Sequence, residues 1–259
     1  MNDRRRLGSR AGVIALAVAL GASLVANALL LRAALHFLDE ATIIRLDPAG
    51  LKTYAGAEPP ADRRPVLVLY GDSRAAMWMA PSVPPFRVVN RGVGFQTTAQ
   101  ILSRFDADVA PLHPAVVVLE AGVNDLKSIA RFPERRAEIV ADCEANLRRI
   151  VDDSRSAGAT IVIVSVFGIG NVAMWRRPFW SADVADAVRE VNAFLVGLAG
   201  DHVVLFDANR VLDDDHGAIQ ARYQLDYLHL TGAGYDALNR ALVPLIRTLP
   251  AATHEAAAP

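Results

Sequence analysis

Three residues of this 259-residue chain have the types and spacing for nucleophilic catalysis: Ser73, Asp226 and His229. Ser73 closes the tripeptide Gly71-Asp72-Ser73, directly after the apolar run Pro65-Val66-Leu67-Val68-Leu69-Tyr70. A serine placed just past a buried strand presents its hydroxyl to the cleft at the strand's end. The tripeptide alone is weak evidence, since turns use those residue types constantly. A serine hydroxyl is inert at neutral pH without a base to take its proton, and the base needs a group to orient it. His229 is the best-placed base. Asp226 lies three residues before it, so on a tight turn its carboxylate accepts from the imidazole Nδ1–H. That contact fixes the tautomer, leaves Nε2 for Ser73 and stabilises the imidazolium formed during attack. The chain order Ser, Asp, His is shared with α/β-hydrolases, but their G-x-S-x-G elbow is absent from this sequence.

Gly71-Asp72-Ser73 is followed by N-R-G-V-G-F-Q-T at 90–97, G-V-N-D at 122–125 and D-Y-L-H at 226–229. In this order the four segments resemble the SGNH (GDSL-type) esterase and acylhydrolase family, named for a serine, a glycine, an asparagine and a histidine, one per block. The likeness spans residues 65–247, nearly all of the expected globular part. It implies a serine esterase that forms an acyl-enzyme on Ser73 and needs neither a metal nor an organic cofactor. It also implies an oxyanion hole made of the Ser73 N–H, a backbone N–H in the Gly94–Phe95 turn, and the Asn124 side chain. Loss of one such donor typically costs about a hundred- to a thousandfold in rate.

Two positions depart from the family pattern. With Asn90 and Thr97 lined up on the family's asparagine and threonine, Phe95 stands where the named glycine is expected. A one-residue shift gives the role to Gly94 instead. Phenylalanine tolerates fewer backbone angles than glycine and adds a ring beside the acyl group. The second departure is Arg74, where the GDSL name expects leucine. It reads either as an exposed helix-start arginine or as a cation at the cleft for an anionic or sugar-like substrate. The substrate class implied is a carboxylic ester on a cell-envelope glycan or lipid. An O-acyltransferase using the same acyl-enzyme, or a non-catalytic binding module that kept the fold, are the alternatives.

Other chemistry-bearing residues read more blandly. Asp72 and Asp125 flank the proposed site and are expected to brace loops by accepting backbone hydrogen bonds. The lone cysteine, Cys143, sits in a helical pattern as a small packing residue, and it forbids an intrachain disulfide. Asp213-Asp214-Asp215-His216 offers metal-ligand types but reads better as a solvated turn. His113, His202 and His254 have no partner spacing. The G-V-G-F-Q-T turn lacks the third glycine and the lysine-serine ending of phosphate loops. The segment 168–180 follows a strand end and should rim the cleft. There Trp175, Phe179 and Trp180, with Arg176 and Arg177, stack on a sugar, grip an acyl chain, touch a membrane surface, or simply pack on one another.

The elements that must position these residues follow from apolar patterning. Runs at 66–70, 87–90, 115–120, 160–167 and 202–207 are rich in valine and isoleucine and read as strands buried on both faces. Segments at 97–109, 134–157, 181–199 and 231–247 read as helices, with Thr97 or Thr98 capping the first, Thr231 capping the last, and Gly158 ending the long one. Such alternation means an α/β fold, here a single three-layer α/β/α domain with a five-stranded parallel sheet, the flavodoxin-like fold the family shares. Ligands in such sheets sit beyond the carboxyl ends of the strands, where Ser73 and Asn124 both fall.

A net charge of −1 gives no sign of nucleic-acid binding. The 53% hydrophobic content suits one core domain plus an apolar extra. That extra is the uncharged run at 11–31, about 32 Å long as a helix and matched to a hydrocarbon core of about 30 Å. Arg4, Arg5, Arg6 and Arg10 precede it, so the positive-inside rule keeps the N-terminus cytoplasmic. A cleaved signal peptide is the rival reading, but the run continues through Leu29-Leu30-Leu31, past the best cleavage candidate at 25–28. The expected organisation is a basic N-terminus (1–10), a transmembrane signal-anchor (11–33), a linker (34–64), the catalytic domain (65–248) and a disordered tail (249–259). That places a single-pass protein in the inner membrane with its catalytic domain periplasmic.

Overall fold

A computed structural model describes residues 3–57, 63–170, 172, 174, 180–215 and 217–250, with side chains from residue 12 onward. Two compact units divide at Pro48. The first is one helix, α1 (Asp3–Leu46), of 44 residues. Its stretch Gly12–Leu46 is long and apolar enough to cross a membrane, and side chains such as Leu16, Leu20 and Leu30 are exposed. The helix does not stop at residue 33 but continues through thirteen residues of the expected linker. The reason is local: 34–46 holds no glycine or proline, and the first breaker is Pro48, which disfavours helix in the residue before it.

The second unit is built on five parallel strands: β1 (Val66–Gly71), β2 (Arg87–Gly92), β3 (Val116–Glu120), β4 (Thr160–Val164) and β5 (Val203–Phe206). Their order is β2-β1-β3-β4-β5, and every pairing is parallel. Alternating side chains feed two cores, as a period of two requires. Val66, Val68 and Tyr70 face one core with Ile101, Leu147 and Val191. Leu67 and Leu69 face the other with Leu238, Leu242 and Ile246. The first core is roofed by α3 (Thr98–Ser103), α4 (Phe105–Asp108), α6 (Arg136–Ser156) and α7 (Asp183–Val196). The second is roofed by α8 (Asn209–Leu212) and α9 (Gly232–Ile246). Two one-turn helices, α2 (Ser73–Ala76) and α5 (Val123–Leu126), start just past β1 and β3.

Three sequence expectations are refined. The helix expected over 97–109 breaks at Arg104, whose backbone leaves helical angles (φ −106°, ψ 5°) as its side chain turns into the core. The strand expected over 160–167 ends at Val164. The cap of α3 is Thr97, in a capping box with Gln100. Thr231 caps α9 as expected, accepting from the Gly234 amide, and Gly158 ends α6 with φ +81°. Cys143 is fully buried in α6, and burial pushes its thiol well above the ordinary range, which fits packing rather than reactivity.

The topology fixes where a site can form. From β1 the chain passes to β2 on one side, then crosses to β3 on the other. That reversal opens a crevice at the carboxyl ends of β1 and β3.

Candidate active site

The turn after β1 depends on close backbone contact. Gly71 has φ +151°, and a Cβ there would sit 1.7 Å from the Glu120 carbonyl oxygen at the end of β3. The next amide, Asp72 N–H, donates to that same oxygen at 3.2 Å. Asp72 Oδ1 then accepts from the Arg74 amide at 2.8 Å and caps α2. Ser73 is thereby lifted to the first position of α2, facing the crevice.

His229 arrives from the opposite end of the domain on the turn before α9. Asp226 Oδ1 accepts from the Leu228 and His229 amides at 2.7 and 2.8 Å, while its Oδ2 takes the His229 Nδ1–H at 2.8 Å. Ser73 Oγ lies 2.9 Å from His229 Nε2. The structure thus brings Ser73, His229 and Asp226 into one hydrogen-bonded chain. Partial burial pushes the Asp226 carboxyl up, but the hydrogen bonds from His229 and Leu228 outweigh it and hold the group below its usual range.

The 94–97 turn forms the facing wall. A Cβ on Gly94 would touch Ser73 Cβ at 4.0 Å, so Gly94 lies near the serine. Phe95 adopts φ +66°, the left-handed region costly for a residue with a side chain. The residue is 74% exposed, with Lys127 Nζ 5.9 Å from its ring centroid. Asn124, buried at the start of α5, gives one Nδ2–H to the Gln96 carbonyl at 2.9 Å. The Ser73 and Gly94 amides donate no hydrogen bond among the described residues.

Arg74 corrects both sequence readings. It is neither exposed nor cleft-lining but fully buried, and its guanidinium donates to the carbonyls of Leu228, Phe167 and Gly168 at 2.8, 3.0 and 3.4 Å. Asp72 and Glu120 are buried beside it, with Glu120 Oε1 3.7 Å from the guanidinium. Burial pushes both carboxyls up, the Asp72 charge raises Glu120 further, and Arg74 pulls the other way. One guanidinium facing two buried acids favours a proton kept by the acid pair.

A second buried arginine holds the other wall. Arg104 donates to Gln96 Oε1 at 2.6 Å, Asp108 Oδ2 at 3.1 Å and the Gly71 carbonyl at 2.8 Å. Asn90 ties β2 to the end of α2, donating to the Ala75 carbonyl and accepting from the Gly92 amide, both at 2.8 Å. Sequence reasoning missed the roles of Arg104, Gln96 and Glu120: Gln96 stands inside the 90–97 block without a role assigned to its side chain, and Arg104 and Glu120 lie outside every block.

Asp125 braces the site as expected, accepting the Thr98 amide at 2.9 Å and hydroxyl at 2.7 Å. Burial pushes its carboxyl up to about 6 from 3.8, despite those bonds. A folded-state value above the unfolded one stabilises fully below about pH 3.8, and that contribution is lost as pH rises through about 6. Urea unfolding at about pH 5 and about pH 7 should therefore show wild type gaining about 1 kcal/mol on Asp125→Asn at the lower pH. An unchanged difference would mean the carboxylate is well solvated.

Trp180 is half-buried beside the histidine turn. It packs edge-on against Tyr227 with ring centroids 5.5 Å apart and joins the core. The loop start at 168–170 does border the histidine turn, through Gly170 N–H to the Tyr227 carbonyl at 2.9 Å. Trp175, Arg176, Arg177 and Phe179 lie outside the described residues, as do His216 and His254. Asp213 and Ile219 close a bridged turn, and no group of His, Cys, Asp and Glu among the described residues could hold a metal ion.

A parallel α/β sheet carrying a serine–histidine–aspartate chain at its carboxyl edge has the architecture of a serine hydrolase. The family model for GDSL-like lipases and acylhydrolases matches residues 53–237, and the chain belongs to that family of ester hydrolases. It is 26% identical over 200 residues to platelet-activating factor acetylhydrolase IB subunit alpha2 of Rattus norvegicus, covering 75% of this chain and 81% of the relative. A GDSL-like lipase from Bacteroides thetaiotaomicron shares the fold with a TM-score of 0.58 and 22% identity, over 77% of this chain and 98% of its own. So does Axe2, an acetylxylan esterase from Geobacillus stearothermophilus, with a TM-score of 0.54 and 21% identity, over 70% and 94% of the two chains.

Proposed function

We propose that this protein is a serine esterase that cleaves carboxylic esters through an acyl-enzyme on Ser73. The observation that carries the reading is the unbroken relay from Ser73 Oγ to His229 Nε2 at 2.9 Å and from His229 Nδ1 to Asp226 Oδ2 at 2.8 Å. Because Asp226 accepts at Nδ1, the neutral imidazole keeps Nε2 as an acceptor for the serine proton. Attack by Ser73 Oγ on the ester carbonyl moves that proton to His229, which then returns it to the departing alkoxide. Water repeats the sequence on the acyl-enzyme and regenerates the serine. The developing oxyanion is held by the Ser73 and Gly94 amides and by the second Nδ2–H of Asn124, the one not given to Gln96.

The substrate class we assign is an ester on a cell-envelope glycan or lipid, with the domain tethered by α1 and held on the far side of the membrane from the basic N-terminus. The apolar stretch Gly12–Leu46 and the arginines before it support that orientation. Alkaline phosphatase fused after the domain should be active in a bacterial host; an inactive fusion would place the domain in the cytoplasm. The serine mechanism is tested by incubating the detergent-solubilised protein with a fluorophosphonate. Stoichiometric labelling of Ser73, lost in His229→Ala, is expected, and no labelling of folded protein would reject the mechanism.

A further inference from the structure

Ser73 and His229 are 156 residues apart in sequence, yet a general base must be placed to within a fraction of an ångström. A misplacement of about 1 Å can cost about a hundredfold in rate. The bond between the two catalytic side chains cannot by itself supply that precision, since it must break and reform in each turnover. A static link is needed elsewhere, and the structure contains one. Arg74 follows the serine and Leu228 precedes the histidine, and Arg74 Nε donates to the Leu228 carbonyl at 2.8 Å.

We propose that Arg74 is the positioning residue that holds His229 in register with Ser73, acting through the Leu228 carbonyl. This rests on the serine–histidine reading given above. The guanidinium is anchored on every side. Its other donors grip the Phe167 and Gly168 carbonyls at 3.0 and 3.4 Å, and the group stacks 3.9 Å from the Phe167 ring centroid. Its own backbone is fixed through Asp72 Oδ1 on the amide, at 2.8 Å, and Tyr235 Oη on the carbonyl, at 2.9 Å. Glu120 Oε1 stands 3.7 Å from the guanidinium, so the buried cation has a buried acid beside it. The Leu228 peptide is held at both ends, its N–H by Asp226 and its C=O by Arg74. The histidine turn therefore moves with α2 as one body.

A purely packing role does not account for this arrangement. Burying a guanidinium with its counter-acids is costly, and apolar replacements of similar volume often match or exceed such clusters in stability. What leucine cannot supply is three directed N–H donors in a fixed planar fork. Lysine keeps the charge but offers a single point of contact, so it should restore only part of the register.

The test compares wild type, Arg74→Leu and Arg74→Lys as full-length detergent-solubilised proteins, with kcat and KM for p-nitrophenyl acetate expressed per fluorophosphonate-titrated serine. Arg74→Leu should lower kcat per titrated site about a hundredfold and Arg74→Lys about tenfold, with KM within about twofold of wild type and the labelling rate falling in parallel with kcat. A merely structural arginine would lower the melting temperature and leave kcat per titrated site unchanged, and that result overturns the proposal. If Arg74→Leu does not fold, Arg74→Lys decides alone: kcat within about twofold of wild type rejects the positioning role, and the tenfold loss supports it. Failure of the underlying mechanism looks different, since His229→Ala would then keep wild-type activity and labelling.

Discussion

Ser73→Ala is expected to lower kcat for p-nitrophenyl acetate by about 10⁴-fold or more, with the fold intact. Neither the thiol nor the neighbouring carboxyls are placed to take over the attack. The only thiol, Cys143, is fully buried in α6, and burial pushes it away from its thiolate form. The neighbouring carboxyls Asp72 and Glu120 are buried as well. Alanine at the first position of a one-turn helix costs little, because the α2 cap is Asp72 rather than Ser73. Asn124→Ala gives the informative contrast. It removes one donor of the proposed oxyanion hole and leaves the proposed nucleophile and base in place, so a loss of about 10²–10³ in kcat is expected with little change in KM. Two such different losses separate the nucleophile from the stabilisation of its intermediate. If Ser73→Ala instead retains wild-type turnover, the reaction runs through another nucleophile. If Asn124→Ala is unaffected while Ser73→Ala is inactive, the oxyanion is held by backbone amides alone.

How much of this was readable from the sequence depends on how local each feature is. The strands announce themselves in runs such as Val66-Leu67-Val68-Leu69 and Thr160-Ile161-Val162-Ile163, because a strand buried on both faces must be apolar throughout. Ser73 and the Asp226–His229 pair are short-range patterns: a serine past a strand, and two residues that meet across one turn. Arg74 was illegible. A charged residue at a helix start reads as solvated, and its three acceptors lie 93, 94 and 154 residues away. Arg104 was hidden for the same reason, and so was the helix break at this residue. Its side chain turns inward to reach the Gly71 carbonyl, a partner that only the folded sheet supplies. Both buried arginines sit behind the turns of the proposed site, one holding the histidine side and one the Gly94–Gln96 side. Local pattern marks the residues proposed to react; the scaffold that holds them is made of long-range polar contacts.

The most damaging single methyl group on that scaffold should be the one added by Gly71→Ala. Gly71 ends β1 and is paired with Gly92 on one neighbour and Glu120 on the other, so the chain there cannot move sideways without parting the sheet. Its φ of +151° already disfavours a side chain, and the new Cβ would sit 1.7 Å from the Glu120 carbonyl oxygen and 2.8 Å from its carbonyl carbon. Relief requires β1 and β3 to separate where Asp72 N–H meets the same oxygen, and that also releases the Gly71 carbonyl from Arg104 and Val93. A loss above about 4 kcal/mol follows, a large part of the stability of an ordinary domain at about 5–15 kcal/mol. Gly94→Ala is the matched control. It adds a methyl to the same crevice, but its nearest neighbour is Ser73 Cβ at 4.0 Å, an ordinary contact, so its melting temperature should stay close to wild type. Thermal unfolding of the two variants beside wild type separates these outcomes. Equal melting temperatures for all three would show that the turn carrying Ser73 does not need the close β1–β3 approach, and the placement of the nucleophile would then require another cause.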